Sequence, residues 1–221
     1  MIKVMLSAGE VSGDIHGAAL AKELKILNRN IILFGMGGER MRSAGVELLY
    51  DLSSRGTVGI IEILKFLPSI LFGISKMKRA LKKEQPDLLV LIDYQGFNMM
   101  LAKYAKKLGI KTVYYIAPQE WLWGTPKGVK NVANTIDKIL CIFEDEAKTY
   151  KKYGGNAVYI GNPNVDTTKS IISKAGPIPL PIGSSPLVNT TFNFFLKCFP
   201  RYSNFLPRFN AFSLLTLAVF P

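Results

Sequence analysis

The 221-residue chain has a single histidine, His16, and only two cysteines, Cys141 and Cys198, set far apart in no metal or redox spacing. A zinc site is therefore not expected, and the sparse cysteine fits a reducing compartment. Long apolar runs are also missing. A membrane-crossing helix needs roughly 20 uninterrupted apolar residues, and the best stretch, Ile60 to Ile74, is broken by Glu62, Lys65 and Pro68. The opening Met1-Ile2-Lys3-Val4-Met5-Leu6 lacks the apolar core and cleavage site of a secretion signal, so a cytoplasmic protein is expected. The last absence is regional: no acidic residue follows Asp166.

What is present is basic. Twenty-eight Lys and Arg against 16 Asp and Glu give a formal charge of +12 and a pI near 9.7. Such a balance suits an anionic partner or a well-solvated surface. Nucleic acid is not expected, because no recognition motif accompanies the charge.

Residues 2–166 alternate β-branched runs with helical patterns. Ile2–Leu6, Asn30–Phe34, Glu47–Leu49, Leu88–Ile92, Lys111–Tyr115, Ile136–Cys141 and Val158–Ile160 read as strands of a parallel α/β sheet. Leu20, Leu24 and Leu27 mark one helix face, and Phe97, Met100, Leu101, Tyr104, Ala105 and Leu108 mark another. Gly109 is the expected left-handed end of that second helix. A single domain over 1–166 is expected. Residues 167–221, rich in proline and apolar residues without periodicity, are expected not to fold as a domain. Their abrupt change of character reads as a shifted frame near Lys174, the alternative being a membrane-seeking tail.

Three loops carry candidate chemistry. The first strand runs into Ser7-Ala8-Gly9-Glu10-Val11-Ser12-Gly13-Asp14, a strand-to-helix turn of the kind that faces the ligand crevice in open α/β sheets. Gly9 and Gly13 permit close backbone approach, and Ser12 or Asp14 is a candidate helix cap. Glu10 suits sugar hydroxyls or the orientation of a base better than a phosphate, unless it merely caps its own loop. The spacing is not that of the dinucleotide fingerprint, which argues against an NAD-dependent protein. The fourth strand ends in Asp93, placed to act as a general base or to cap the helix that follows. After the fifth strand come Gln119, Trp121 and Trp123, suited to sugar or acyl contact or to a hydrophobic plug. A further stretch, 58–83, combines excess apolar residues with Lys76, Lys78, Arg79, Lys82 and Lys83. That pattern fits a segment lying on anionic lipid, or an ordinary amphipathic helix.

Taken together, Ala8-Gly9-Glu10-Val11-Ser12-Gly13-Asp14, Gly37-Gly38, Val58-Gly59-Ile60-Ile61-Glu62, Ile92-Asp93-Tyr94, Phe97-Asn98, Tyr115-Ile116-Ala117-Pro118-Gln119 and Trp121-x-Trp123 resemble the lipid-A-disaccharide synthase family in order and spacing. The resemblance implies the N-terminal, acceptor-side Rossmann-like domain of a GT-B glycosyltransferase, inverting and without metal or cofactor. It implies transfer from UDP-2,3-diacylglucosamine to 2,3-diacylglucosamine 1-phosphate, giving UDP and the lipid A disaccharide phosphate. Glu10 and Asp93 take the places of the family's essential glutamate and proposed catalytic aspartate. Gly9, Ser12, Gly13, Asn98, Gln119, Trp121 and Trp123 would contact substrate. Ile61, Ile63, Leu64, Leu67, Ile70 and Leu71 would contact the anionic inner-membrane surface, making the protein peripheral there. Asn162 replaces the family histidine of a Gly-His-Pro segment, and Gly96 an acidic residue before Phe-Asn. The alternative expectation is a fragment, inactive or binding only acceptor lipid or membrane, that lacks the donor domain.

Overall fold

Runs such as Leu88-Leu89-Val90-Leu91-Ile92 have no polar face to give to solvent, so they are stable only when covered on both sides, the condition a parallel sheet with flanking helices satisfies. In the computed structural model, residues 1–51 and 60–165 are described, with the side chains of residues 60–67, Trp121 and Trp123 outside the description. Within these bounds seven strands form one parallel sheet: β1 (Lys3–Ala8), β2 (Ile32–Met36), β3 (Glu47–Tyr50), β4 (Leu88–Ile92), β5 (Lys111–Tyr115), β6 (Lys138–Cys141) and β7 (Ala157–Tyr159). Their order is β3-β2-β1-β4-β5-β6-β7.

The helices are α1 (Val11–Leu27), α2 (Glu39–Ser43), α3 (Ile60–Glu84), α4 (Gln95–Lys107), α5 (Glu120–Trp123), α6 (Pro126–Thr135) and α7 (Glu144–Lys152). α1 packs on α2, while α3, α4, α6 and α7 pack in succession. Leu89 and Leu91 join a buried cluster with Ile74, Met77 and Leu81 of α3 and Phe97 and Leu101 of α4. The strand's period of two turns Leu88, Val90 and Ile92 to the other face, all three fully buried.

All seven expected strands are found: β4 and β5 have the expected bounds, β3, β6 and β7 differ from theirs by one or two residues, and β1 and β2 run past theirs. β1 continues through Ser7 and Ala8, and β2 through Gly35 and Met36. Gly35 has φ +146°, and a side chain there would collide with the Leu6 carbonyl, so this position inside β2 requires glycine. Two helix faces need correction. Leu27 is 49% exposed and Met100 43% exposed, because α1 is in its last residue at Leu27 and α4 turns Met99 inward instead of Met100. Gly109 has φ +74° and follows α4 as expected.

Candidate functional site at the switch point

The chain leaves β1 toward α1 on one face and leaves β4 toward α4 on the other. β1 and β4 are neighbours, so a crevice opens between their carboxyl ends, the usual ligand position in an open α/β sheet. Both expected carboxylates stand there. Glu10 is the residue before α1, in extended conformation and without a side-chain capping bond. Asp93 follows β4 immediately.

The backbone at this end of the sheet is strained. Asp93 and Tyr94 both adopt left-handed conformations, φ 51° and 45°, and Ile116 after β5 does so at φ 61°. Left-handed backbone costs non-glycine residues about 1–3 kcal/mol each, and for a β-branched isoleucine it is a true outlier. The fold holds Asp93 in place by its carbonyl, which accepts from Asn98 Nδ2 at 2.7 Å and from the Tyr114 hydroxyl at 2.7 Å. Asn98 is fully buried. It also donates to the carbonyls of Ser7 (3.3 Å) and Ile92 (3.2 Å) and accepts from the Ser7 hydroxyl at 2.6 Å. Its bonding capacity is spent on tying β1 to β4, so the structure places it behind the crevice as a latch.

The Asp93 carboxylate accepts from the Tyr94 amide at 2.9 Å and from the Ser12 hydroxyl at 3.3 Å. Ser12 is exposed and bonds across the crevice instead of capping α1. Glu10 is half-buried, and burial first, then the negative charge of Asp93, raises its pKa above the ordinary value. Burial also raises the Tyr94 phenol, with Glu10 adding to it. Gly9 is buried against this ring, and a side chain at residue 9 would collide with it. The glycine therefore makes room for Tyr94, and Gly13 packs close to Ala8.

Asp14 does not cap α1 either. It is buried, and its carboxylate accepts from the amides of Gly38 (2.8 Å), Arg40 (3.1 Å) and Met41 (3.0 Å). It thus fixes the second glycine turn and the start of α2. His16, weighed in the sequence only as a zinc ligand, lies close by. The imidazole is half-buried with its ring edge-on to Tyr115, centroids 6.5 Å apart at 85°, and it senses the charge of Asp93. The i, i+4 spacing of Ser12 and His16 on α1 was the available signal.

Gln119 is exposed at the start of α5, and Glu120 accepts a hydrogen bond from Gln95 Nε2. The side chains of Trp121 and Trp123, and of Ile61, Ile63, Leu64 and Leu67, lie outside the described residues. Of the two remaining residues expected at the membrane, Ile70 packs against the core cluster and Leu71 is exposed, next to the exposed Phe72. Among the described residues no helix is long and apolar enough to cross a membrane, and no cluster of His, Cys, Asp and Glu is arranged to hold a metal.

The all-parallel strand order, reversing between β1 and β4 with helices between successive strands, defines a Rossmann-like α/β domain. Solved structures agree on the fold. UDP-GlcNAc 2-epimerase from Neisseria meningitidis, bound to UDP-GlcNAc, superposes with TM-score 0.55 at 15% identity, covering 90% of this chain and 54% of that one. UDP-N-acetylglucosamine 2-epimerase from Rickettsia bellii gives 0.53 at 16% identity, covering 79% and 48%. Sequence goes further: the model of the lipid-A-disaccharide synthetase family matches residues 4–175, and the chain belongs to that family. It is 41% identical over 173 residues to the lipid-A-disaccharide synthase of Geobacter metallireducens, covering 78% of this chain and 45% of the relative. It is 42% identical over 171 residues to that of Coxiella burnetii, covering 77% and 45%. The chain thus spans less than half the length of these curated relatives.

Proposed function

We propose that this chain is the acceptor-side half of a lipid A disaccharide-forming glycosyltransferase. Its crevice receives an acylated glucosamine phosphate, and Asp93 removes a proton from the attacking sugar hydroxyl. The UDP-diacylglucosamine donor belongs mainly to a second domain. The observation that carries this reading is the meeting of Glu10 and Asp93 at the switch point, on strained backbone braced by Asn98 and Tyr114, in a member of this family. Strain at a braced, accessible carboxylate marks a functional position, and a carboxylate at hydrogen-bond reach of a hydroxyl is a competent base.

Acyl chains require apolar surface near the crevice. Val11 and Ile15 at the start of α1, Leu122 in α5 and Phe143 before α7 are all exposed, on elements that follow the carboxyl ends of β1, β5 and β6. With exposed Leu71 and Phe72 and the lysine-rich end of α3, they support contact with an anionic membrane surface, where the protein would sit peripherally in the cytoplasm. Residues 1–166 would be the working domain, with Ser12, Gln119, Trp121 and Trp123 meeting the sugar or its acyl chains.

The test is a chimaera in which residues 1–166 replace the aligned part of the Geobacter metallireducens enzyme. Given both lipid substrates, it is expected to release UDP and disaccharide. A well-folded chimaera that binds acceptor without any transfer would overturn the reading in favour of a binding module.

A further inference from the structure

We propose that His16 is the proton-sharing partner of Asp93, taking on the proton that Asp93 removes from the attacking hydroxyl. This rests on the function proposed above but not on its assay. Three observations place the imidazole for the task. Ser12 and His16 are one helical turn apart on the same face of α1, and Ser12 already bonds to Asp93. Tyr115, buried at the carboxyl end of β5, meets the ring edge-on and limits its orientation. Among the described residues the imidazole nitrogens have no hydrogen-bond partner, whereas the Asp93 carboxylate is bonded at both oxygens, by Tyr94 and Ser12.

In the transfer step, the acceptor O–H bond breaks and its proton goes to Asp93 while the oxygen bonds to the anomeric carbon. The bond to UDP breaks, and its electron pair leaves on the diphosphate. Asp93 must then lose the proton before another turnover. The neutral imidazole offers a nitrogen lone pair to receive it, so the proton moves to His16, across a bridging water where the two do not touch, and on to solvent.

Burial holds the imidazole below its ordinary pKa, and Asp93 opposes that effect. The neutral, proton-accepting form is therefore the resting one at neutral pH. The other ionisable groups nearby are Glu10 on the α1 terminus, Tyr94 after β4 and Tyr115 on β5, with Glu39, Arg40 and Arg42 on α2, which packs on α1. Glu39 and Arg42 pair with each other at 3.2 Å.

His16 is the chain's only histidine, so its ring resonance in a proton NMR titration of the 221-residue chain is unambiguous. The wild-type midpoint is expected below that of a free histidine, and Asp93→Asn is expected to lower it further. Ser12→Ala serves as a control that leaves the charge in place. An imidazole midpoint unmoved by Asp93→Asn would overturn the pairing, even if the transferase assay succeeds. In the chimaera, His16→Phe keeps the ring contact with Tyr115 but lacks the nitrogens. It is expected to lower kcat by about tenfold or more at neutral pH with KM within about twofold, and added imidazole is expected to restore His16→Ala. Wild-type kcat in His16→Phe would also overturn it. If every chimaera is silent, the proposed function fails and the titration still decides the pairing.

Discussion

Two corners of this sheet hold acids whose proton affinity is raised by burial, and they are built for opposite ends. At the β1/β4 switch point Glu10 is half-buried beside Asp93, the backbone is left-handed at two consecutive residues, and Ser12 reaches across the crevice. At the β6–α7 corner Glu146 is fully buried between Cys141 and Tyr150, with its pKa pushed up to about 7. There one oxygen accepts from the Ile142 amide at 3.0 Å and the other, Oε1, has no partner among the described residues. The second corner has the larger perturbation but neither strain nor access. The proposed function therefore rests on the first corner's accessible, braced, strained backbone and not on a displaced pKa alone.

The largest expected effect falls at the first corner. Asp93→Asn in the chimaera should lower transfer by about 10²–10⁴-fold while the thermal melt stays near wild type; comparable turnover in the variant would erase the contrast between the corners. Next is the latch. Asn98→Ala leaves the Ser7 hydroxyl and the Asp93 carbonyl short of partners and should cost about 2–4 kcal/mol in urea unfolding, with activity lost alongside.

Glu146→Gln sharpens the other side of the comparison. In the unfolded chain this glutamate ionises near 4.5, and in the folded one at about 7. The folded state thus holds an extra proton between those values, and stability falls as pH rises through that window. The cost is absent below about 4.5 and complete above about 7, on the order of 3 kcal/mol. The glutamine variant should lose this slope, measured by unfolding at pH 5 and pH 8, without altering transfer. The smallest effect is expected for Ser12→Ala, whose long, exposed bond to Asp93 should contribute less than about 1 kcal/mol to stability and change transfer only a few-fold.

What could be read from the sequence was whatever repeats at short range. Seven apolar runs gave seven strands, and the loops after β1 and β4 were recognisable because a glycine turn and a lone aspartate each interrupt such a run. Ser7 looked like the start of a turn because a hydroxyl in a covered strand needs a partner, and that partner, Asn98, lies 91 residues away. The need for glycine at residue 35 is equally non-local, since its reason is the Leu6 backbone in the neighbouring strand. Asp14 looked like a cap for its own helix, yet serves the turn after β2. His16 was weighed only as a zinc ligand, because its nearness to Asp93 and Tyr115 exists only once β1, β4 and β5 lie side by side. Cross-sheet pairings of this kind leave no local period.

The Asp14 carboxylate has a consequence for how such chains can drift. It is a side chain that reads only main chain: three amides, from Gly38, Arg40 and Met41. Mutations at Arg40 or Met41 leave those amides in place, so this contact leaves the turn free to change its side chains. Asp14 has no such latitude, since no other residue type offers two acceptor oxygens on so short a stem. Change along this lineage should therefore be lopsided across one contact, with one partner fixed and the other free.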